Sequence, residues 1–154
     1  MAAKKISVLY VDDEENNLFA FKATFRTKYQ VFTATGGAQA LSILADHSIM
    51  IIITDQRMPG MTGVDFLGQV LEKYPDPVRI LLTGYADMSA VIDAVNKGKI
   101  FHYLTKPWNE EEIDHTLQSA YEKYLEKQKL KDTNDQLSIS NDQLEFMLRQ
   151  KLLS

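Results

Sequence analysis

The chain has 154 residues, with 17 basic and 21 acidic side chains for a formal charge of −4, 45% hydrophobic and 25% charged residues, and no cysteine. This is the balance of one ordinary globular domain with room for a short appendage; it excludes a disordered or fibrous chain, a disulfide framework and a thiolate metal site. No apolar run approaches the ~18 residues of a membrane span and no secretory core opens the chain, so a cytoplasmic protein that does not enter the membrane is expected.

Five short β-branched or aromatic runs punctuate the first part: Ile6–Val11, Gln30–Ala34, Ile49–Thr54, Arg79–Thr83 and Ile100–Leu104. Residues 49–53 are apolar without alternation, which predicts a strand buried on both faces. Between the runs the apolar residues repeat with a helical period. Leu18, Phe21, Phe25 and Tyr29 define one face, and Ala38, Leu41, Leu44 and Ala45 a shorter one. Val64, Leu67, Leu71 and Tyr74 define a third, and Met88, Val91, Ile92 and Val95 a fourth. Asn96-Lys97-Gly98 is a helix stop, with a cation in the last turn and glycine just beyond. Asn109, succeeded by Glu110, Glu111 and Glu112, is an N-cap with acids in the first turn. Strand and helix alternating five times predict an α/β, doubly wound five-stranded parallel sheet covered on both faces, with an extended C-terminal helix.

In such a sheet the functional site lies outside the carboxyl ends of the strands. After the first strand come Asp12 and Asp13, after the third Asp55, after the fourth Thr83-Gly84, and after the fifth Thr105-Lys106-Pro107. Parallel strands bring these to one edge. Three carboxylates held together repel and resist ionisation unless a cation joins them, and a hard divalent ion, Mg²⁺, suits oxygen donors and a phosphate. Lys106 adds a positive charge and Thr83 a donor, the equipment for stabilising a phosphoryl group, while a carboxylate can act as nucleophile. Taken singly, Asp12-Asp13 is equally a turn, the 55–60 segment a polar loop and Lys106 a surface lysine. Their coincidence at four strand ends is what makes a site. His47, His102 and His115 show no ligand spacing.

From about Lys5 to Tyr124 the chain resembles the receiver domain of bacterial two-component response regulators, a flavodoxin-like fold. The matching residues are the Asp12-Asp13 pair, Asp55 within residues 53–63 (ITDQRMPGMTG), Thr83-Gly84, and residues 103–108 (YLTKPW). The resemblance implies that Asp55 accepts a phosphoryl group from the phosphohistidine of a sensor histidine kinase or phosphotransfer protein. It implies that Asp13, Asp55 and the backbone carbonyl of Arg57 bind Mg²⁺ directly, with Asp12 acting through a water. Thr83 and Lys106 are expected to hold the phosphoryl group, and Tyr103 is expected to turn inward as the switch aromatic. The Lys106-Pro107 peptide is commonly cis in this family. Arg57 and Tyr85 stand where receivers line the mouth of the site and tune phosphoryl lifetime. The domain so identified is no enzyme in the ordinary sense: it catalyses its own phosphorylation and dephosphorylation, and its product is a signal on the face of the fourth strand, fourth helix and fifth strand.

Two alternatives compete. A haloacid-dehalogenase-type phosphatase wants an acid two residues after its nucleophile, where this chain has Arg57. A non-catalytic docking scaffold using the same fold leaves the full set of Asp12, Asp13, Asp55, Thr83 and Lys106 without a purpose.

All 7 glycines and all 4 prolines lie at or before Pro107, so the remainder of the chain reads as one long helix. Residues 1–109 balance 11 acids with 11 bases, which leaves the whole −4 in the tail, a poor nucleic-acid binder. Residues 134–137 and 141–144 both read NDQL, and Leu130, Leu137 and Leu144 step by seven. With these leucines at d, Asn134 and Asn141 fall at a and Leu148 lies in the same seam, which favours a parallel two-stranded coiled coil through 127–151. The expected organisation is a receiver at 1–125 and a helical linker at 126–154 leading to an output domain beyond Ser154.

Overall fold

The structure, a computed structural model, describes residues 5–153; of Tyr85, 134–143, 145 and 148–153 it describes the backbone alone. Elements alternate as β1 (Ile6–Val11), α1 (Glu15–Phe25), β2 (Tyr29–Ala34), α2 (Gly37–Asp46), β3 (Ile51–Asp55), α3 (Gly63–Lys73), β4 (Val78–Thr83), a single 3₁₀ turn (Tyr85–Asp87), α4 (Met88–Asn96), β5 (His102–Thr105) and α5 (Glu110–Leu153). The five strands are parallel in the order β2-β1-β3-β4-β5. The direction in which successive strands are added reverses between β1 and β3, and the carboxyl ends there form the crevice where α/β sheets place their sites.

Every residue of β3 and β4 is buried, the reason Ile51–Ile53 and Ile80–Leu82 are apolar without alternation. Successive side chains enter opposite layers. Val8, Tyr10, Ile51, Ile53, Ile80 and Leu82 pack with Leu18, Phe21 and Phe25 of α1 and Ile113, Leu117 and Ala120 of α5. Leu9, Val11, Ile52 and Leu81 pack with α2, α3 and α4 on the other side. Trp108 completes the first layer against Phe21 and Phe25, at ring distances of 6.2 and 6.0 Å.

The capping residues act where expected. Gly98 takes φ +72° just past α4, and the Asn109 side chain accepts the Glu112 N–H at 3.1 Å. The Lys106-Pro107 peptide is cis. Several helical faces are rotated from those the periodicity predicts. Tyr29 does not extend α1 but opens β2, because the chain turns after Phe25. On α2 the buried residues are Gly37, Ala40 and Leu44, with Ala38 and Ala45 outward. On α3 they are Gly63, Phe66, Leu67 and Val70, while Val64, Leu71 and Tyr74 are only half-buried. On α4 Val91 and Ala94 face the sheet and leave Ile92 and Val95 at 51% and 36% exposure. The third and fifth strands begin at Ile51 and His102, later than their apolar runs; Ile49 and Ile100 are buried ahead of them.

Packing divides the chain into two units, Met1–Tyr124 and Leu125–Ser154. The described residues of the second, 125–153, are helix, with Leu130 and Leu144 exposed at 62% and 57%. The side chains of Asn134, Leu137, Asn141 and Leu148, on which the heptad reading rests, lie outside the described residues, as does that of Tyr85. Among the described residues no helix is long and apolar enough to cross a membrane.

Candidate functional site

β1 delivers Asp12 and Asp13 to the sheet edge, and β3 ends on Asp55. One carboxylate oxygen from each of the three lies within 4.8 Å of the others. Asp12 is fully buried and Asp55 nearly so, while Asp13 is exposed. Lys106 reaches across β4 to place Nζ 2.7 Å from Asp55 Oδ1. Its backbone N–H donates to the Thr83 carbonyl at 3.0 Å, which ties the Lys106 loop to the end of β4. Thr83 is buried, pairs with Thr105 across the β4–β5 ladder, and donates its hydroxyl to the Gly84 carbonyl at 3.1 Å. Asp12, Asp13, Asp55, Thr83 and Lys106 thus share one edge. Tyr103 stands apart: it pairs with Leu81, two residues into β5, half-buried against the layer that holds α4.

Burial raises the Asp55 carboxyl above its ordinary range and Asp12 adds to the effect, while the Lys106 hydrogen bond and charge oppose it. Three carboxylates against one lysine make a hard-oxygen donor set in charge deficit, and a divalent cation fits it.

Further contacts complete the site, and sequence spacing did not reveal them. Tyr10 donates its hydroxyl to Asp12 Oδ2 at 3.0 Å, and Asn17 donates to the same oxygen at 3.1 Å. The Glu14 N–H donates to Asp12 Oδ1 at 2.9 Å. Burial and the neighbouring Asp12 charge push the Tyr10 hydroxyl up, which keeps it a donor. The usable signal was a tyrosine hydroxyl in a largely apolar strand, since a buried tyrosine hydroxyl finds a partner. Gln56 fixes the loop after Asp55, its backbone carbonyl accepting from Gly63 and its side-chain oxygen from Val64, both at 2.9 Å. Gly63 must be glycine for close approach: a Cβ there would meet the Asp55 carbonyl oxygen and come within 2.7 Å of Leu81 Cδ1. The Arg57 side chain grips Asp87, with Nε 3.0 Å from Oδ2 and Nη2 3.4 Å from Oδ1.

The sequence profile of the response regulator receiver domain matches residues 8–118. The hydrogenase transcriptional regulatory protein HoxA of Cupriavidus necator is 38% identical over 122 residues, which is 79% of this chain and 25% of HoxA. The chain therefore spans about a quarter of the length of that relative. Among solved structures, the signal receiver domain of an HD domain-containing protein from Pseudomonas fluorescens Pf-5 superposes with TM-score 0.76 at 30% identity, covering 84% of this chain and 96% of that one. The response regulator TrrA of Thermotoga maritima, solved in complex with Mg²⁺-BeF, superposes with TM-score 0.66 at 27% identity, covering 75% and 98%. Sheet order, acidic edge and profile converge: the chain belongs to the response regulator receiver domain family, the phosphorylation-dependent switches of two-component signalling.

Proposed function

We propose that Asp55 is the phosphoacceptor and that this chain catalyses its own phosphorylation from the phosphohistidine of a sensor histidine kinase or a phosphotransfer protein. The observation that carries the reading is the 2.7 Å contact of Lys106 Nζ with an Asp55 carboxylate that shares its pocket with Asp12 and Asp13. An Asp55 oxygen attacks phosphorus, the O–P bond forms, the P–N bond to the donor imidazole breaks, and the imidazole keeps the electron pair. Lys106 and the Thr83 hydroxyl donate to the phosphoryl oxygens, where charge builds up in the transition state. Asp13, Asp55 and the Arg57 carbonyl would hold Mg²⁺, with Asp12, its carboxylate held in place by Tyr10 and Asn17, acting through a water. Bound there, the ion neutralises phosphoryl charge and offsets carboxylate repulsion.

Thr83 moving toward the phosphoryl group vacates space into which Tyr103 turns, which alters the β4-α4-β5 face. The helix beyond Tyr124 relays that change as a linker over 126–154, paired with a second copy through 127–151, to an output module, in the cytoplasm. The donor set is acidic and the tail carries the net negative charge, so this chain itself contacts no nucleic acid. The test is incubation with Mg²⁺ and acetyl phosphate and then intact mass measurement. One phosphoryl adduct is expected for the native chain and none for Asp55→Asn; no adduct in either, with none from a beryllofluoride mimic, overturns the reading.

A further inference from the structure

Arg57 lies two residues after Asp55 and Asp87 four after Thr83, so their ion pair bridges the loop leaving β3 to the turn leaving β4. The contact is a fork, with both Asp87 carboxylate oxygens taken by the guanidinium at 3.0 and 3.4 Å. Asp87 also occupies the N-cap position of α4, yet its side chain makes no capping hydrogen bond. Aspartate is among the preferred N-cap residues because its carboxylate accepts from the second or third helical N–H, here Ser89 or Ala90. Asp87 therefore has two competing partners, Arg57 and the start of α4, and in this state Arg57 holds it.

We propose that the Arg57–Asp87 pair is a latch that phosphorylation of Asp55 opens, moving Arg57 onto the phosphoryl group and Asp87 onto the first turn of α4. The inference rests on Asp55 being the phosphoacceptor. Phosphorylation replaces one carboxylate charge with close to two and adds acceptor oxygens spaced for a guanidinium fork. Asp12, Asp13 and the phosphoryl group together carry about four negative charges, one more than Lys106 and a bound Mg²⁺ supply, so the site remains short of a cation. Arg57 is the nearest guanidinium in sequence, on a side chain 72% exposed and tied only to Asp87 by the contacts above. The bond it leaves is a solvent-exposed ion pair of small worth, and the released Asp87 recovers partners in the α4 amides. Charge at Asp55 is thereby read out at the start of α4 by a route separate from Thr83 and Tyr103.

The experiment is amide hydrogen exchange at Ser89 and Ala90, with and without Mg²⁺ and beryllofluoride, alongside ¹⁹F detection of the adduct. In the native chain the adduct is expected to slow exchange at these amides about fivefold, the worth of one N-cap. Asp87→Ala forms the adduct without that slowing. Arg57→Ala and Asp87→Asn, freed of the ion pair but able to cap, show the slow exchange before any adduct forms. An adduct in the native chain with unchanged exchange, or slowing equal in Asp87→Ala, overturns the latch alone. Absence of the adduct overturns the phosphoacceptor reading, and the latch with it.

Discussion

Lys106 Nζ meets Asp55 Oδ1 at 2.7 Å although their strands, β5 and β3, are separated by β4. The lysine crosses the carboxyl end of the intervening strand and is held at its base by the Thr83 carbonyl. One cation thus answers a pocket of three carboxylates. The imbalance sets how the domain responds to metal and pH.

Because burial raises the Asp55 carboxyl, its contribution favours the folded state below the ordinary carboxylate value and is lost as pH rises through the raised one. Once ionised, the group therefore costs stability when no metal is bound. Asp55→Asn is expected to unfold at a higher temperature than the native chain in chelator. Added Mg²⁺ reverses the order, since a ligand at 100 times its Kd stabilises by about 2.7 kcal/mol and only the native chain binds it well. Calorimetry across a Mg²⁺ titration checks this; parallel curves for the two proteins would count against it.

Gly63 lies against the backbone of Asp55, with its N–H bonded to Gln56 at 2.9 Å, so neither side can retreat. Gly63→Ala is expected to lose about 1–3 kcal/mol in urea unfolding and to slow phosphorylation by acetyl phosphate. An unchanged midpoint would mean that the 55–63 loop yields freely.

Asp114 on α5 accepts from Lys28 Nζ at 2.8 Å and from the Tyr29 hydroxyl, which in turn accepts from Gln118 at 2.9 Å. The Lys28 bond first, then that of Tyr29, holds the Asp114 carboxyl below its ordinary range. This stability is present above the ordinary carboxylate value near ~4 and drains as pH falls through the depressed one. Asp114→Asn should flatten the acid limb of a urea-midpoint profile, and Tyr29→Phe should cost about 1 kcal/mol at neutral pH. An acid limb of unchanged slope in Asp114→Asn would place the titration elsewhere.

Arg79 is buried in β4, its guanidinium donating to the carbonyls of Lys99 at 2.7 Å and Pro77 at 3.1 Å. It pins the turn before β4 to the turn before β5. Arg79→Met orphans these carbonyls and is expected to cost about 2–4 kcal/mol in urea unfolding, with Arg79→Lys recovering only part because an ammonium lacks the fork.

Leu130 and Leu144 stand exposed two heptads apart. If they form a dimer seam, sedimentation gives a dimer at high micromolar concentration and a monomer for Leu144→Asp, where a charge enters a d position. A native monomer at that concentration removes the seam.

Local chemistry was legible from the chain alone. The core of the apolar run, residues 51–53, the glycine at 98 and the asparagine at 109 act within a few residues, and they behave in the structure as they read in sequence. The five carboxyl-end residues were legible too, because parallel strands deliver the residues after them to a single edge. Which face of a helix turns inward was not: a helical stripe is wide, and contact with the sheet chose Val91 and Ala94 over Ile92 and Val95. Nor were the partners of Asp12, Asp87 and Asp114. Their hydrogen bonds and ion pairs are decided by how close packing brings side chains in space, up to 86 residues apart in the Lys28–Asp114 pair, and no spacing along a chain records that distance.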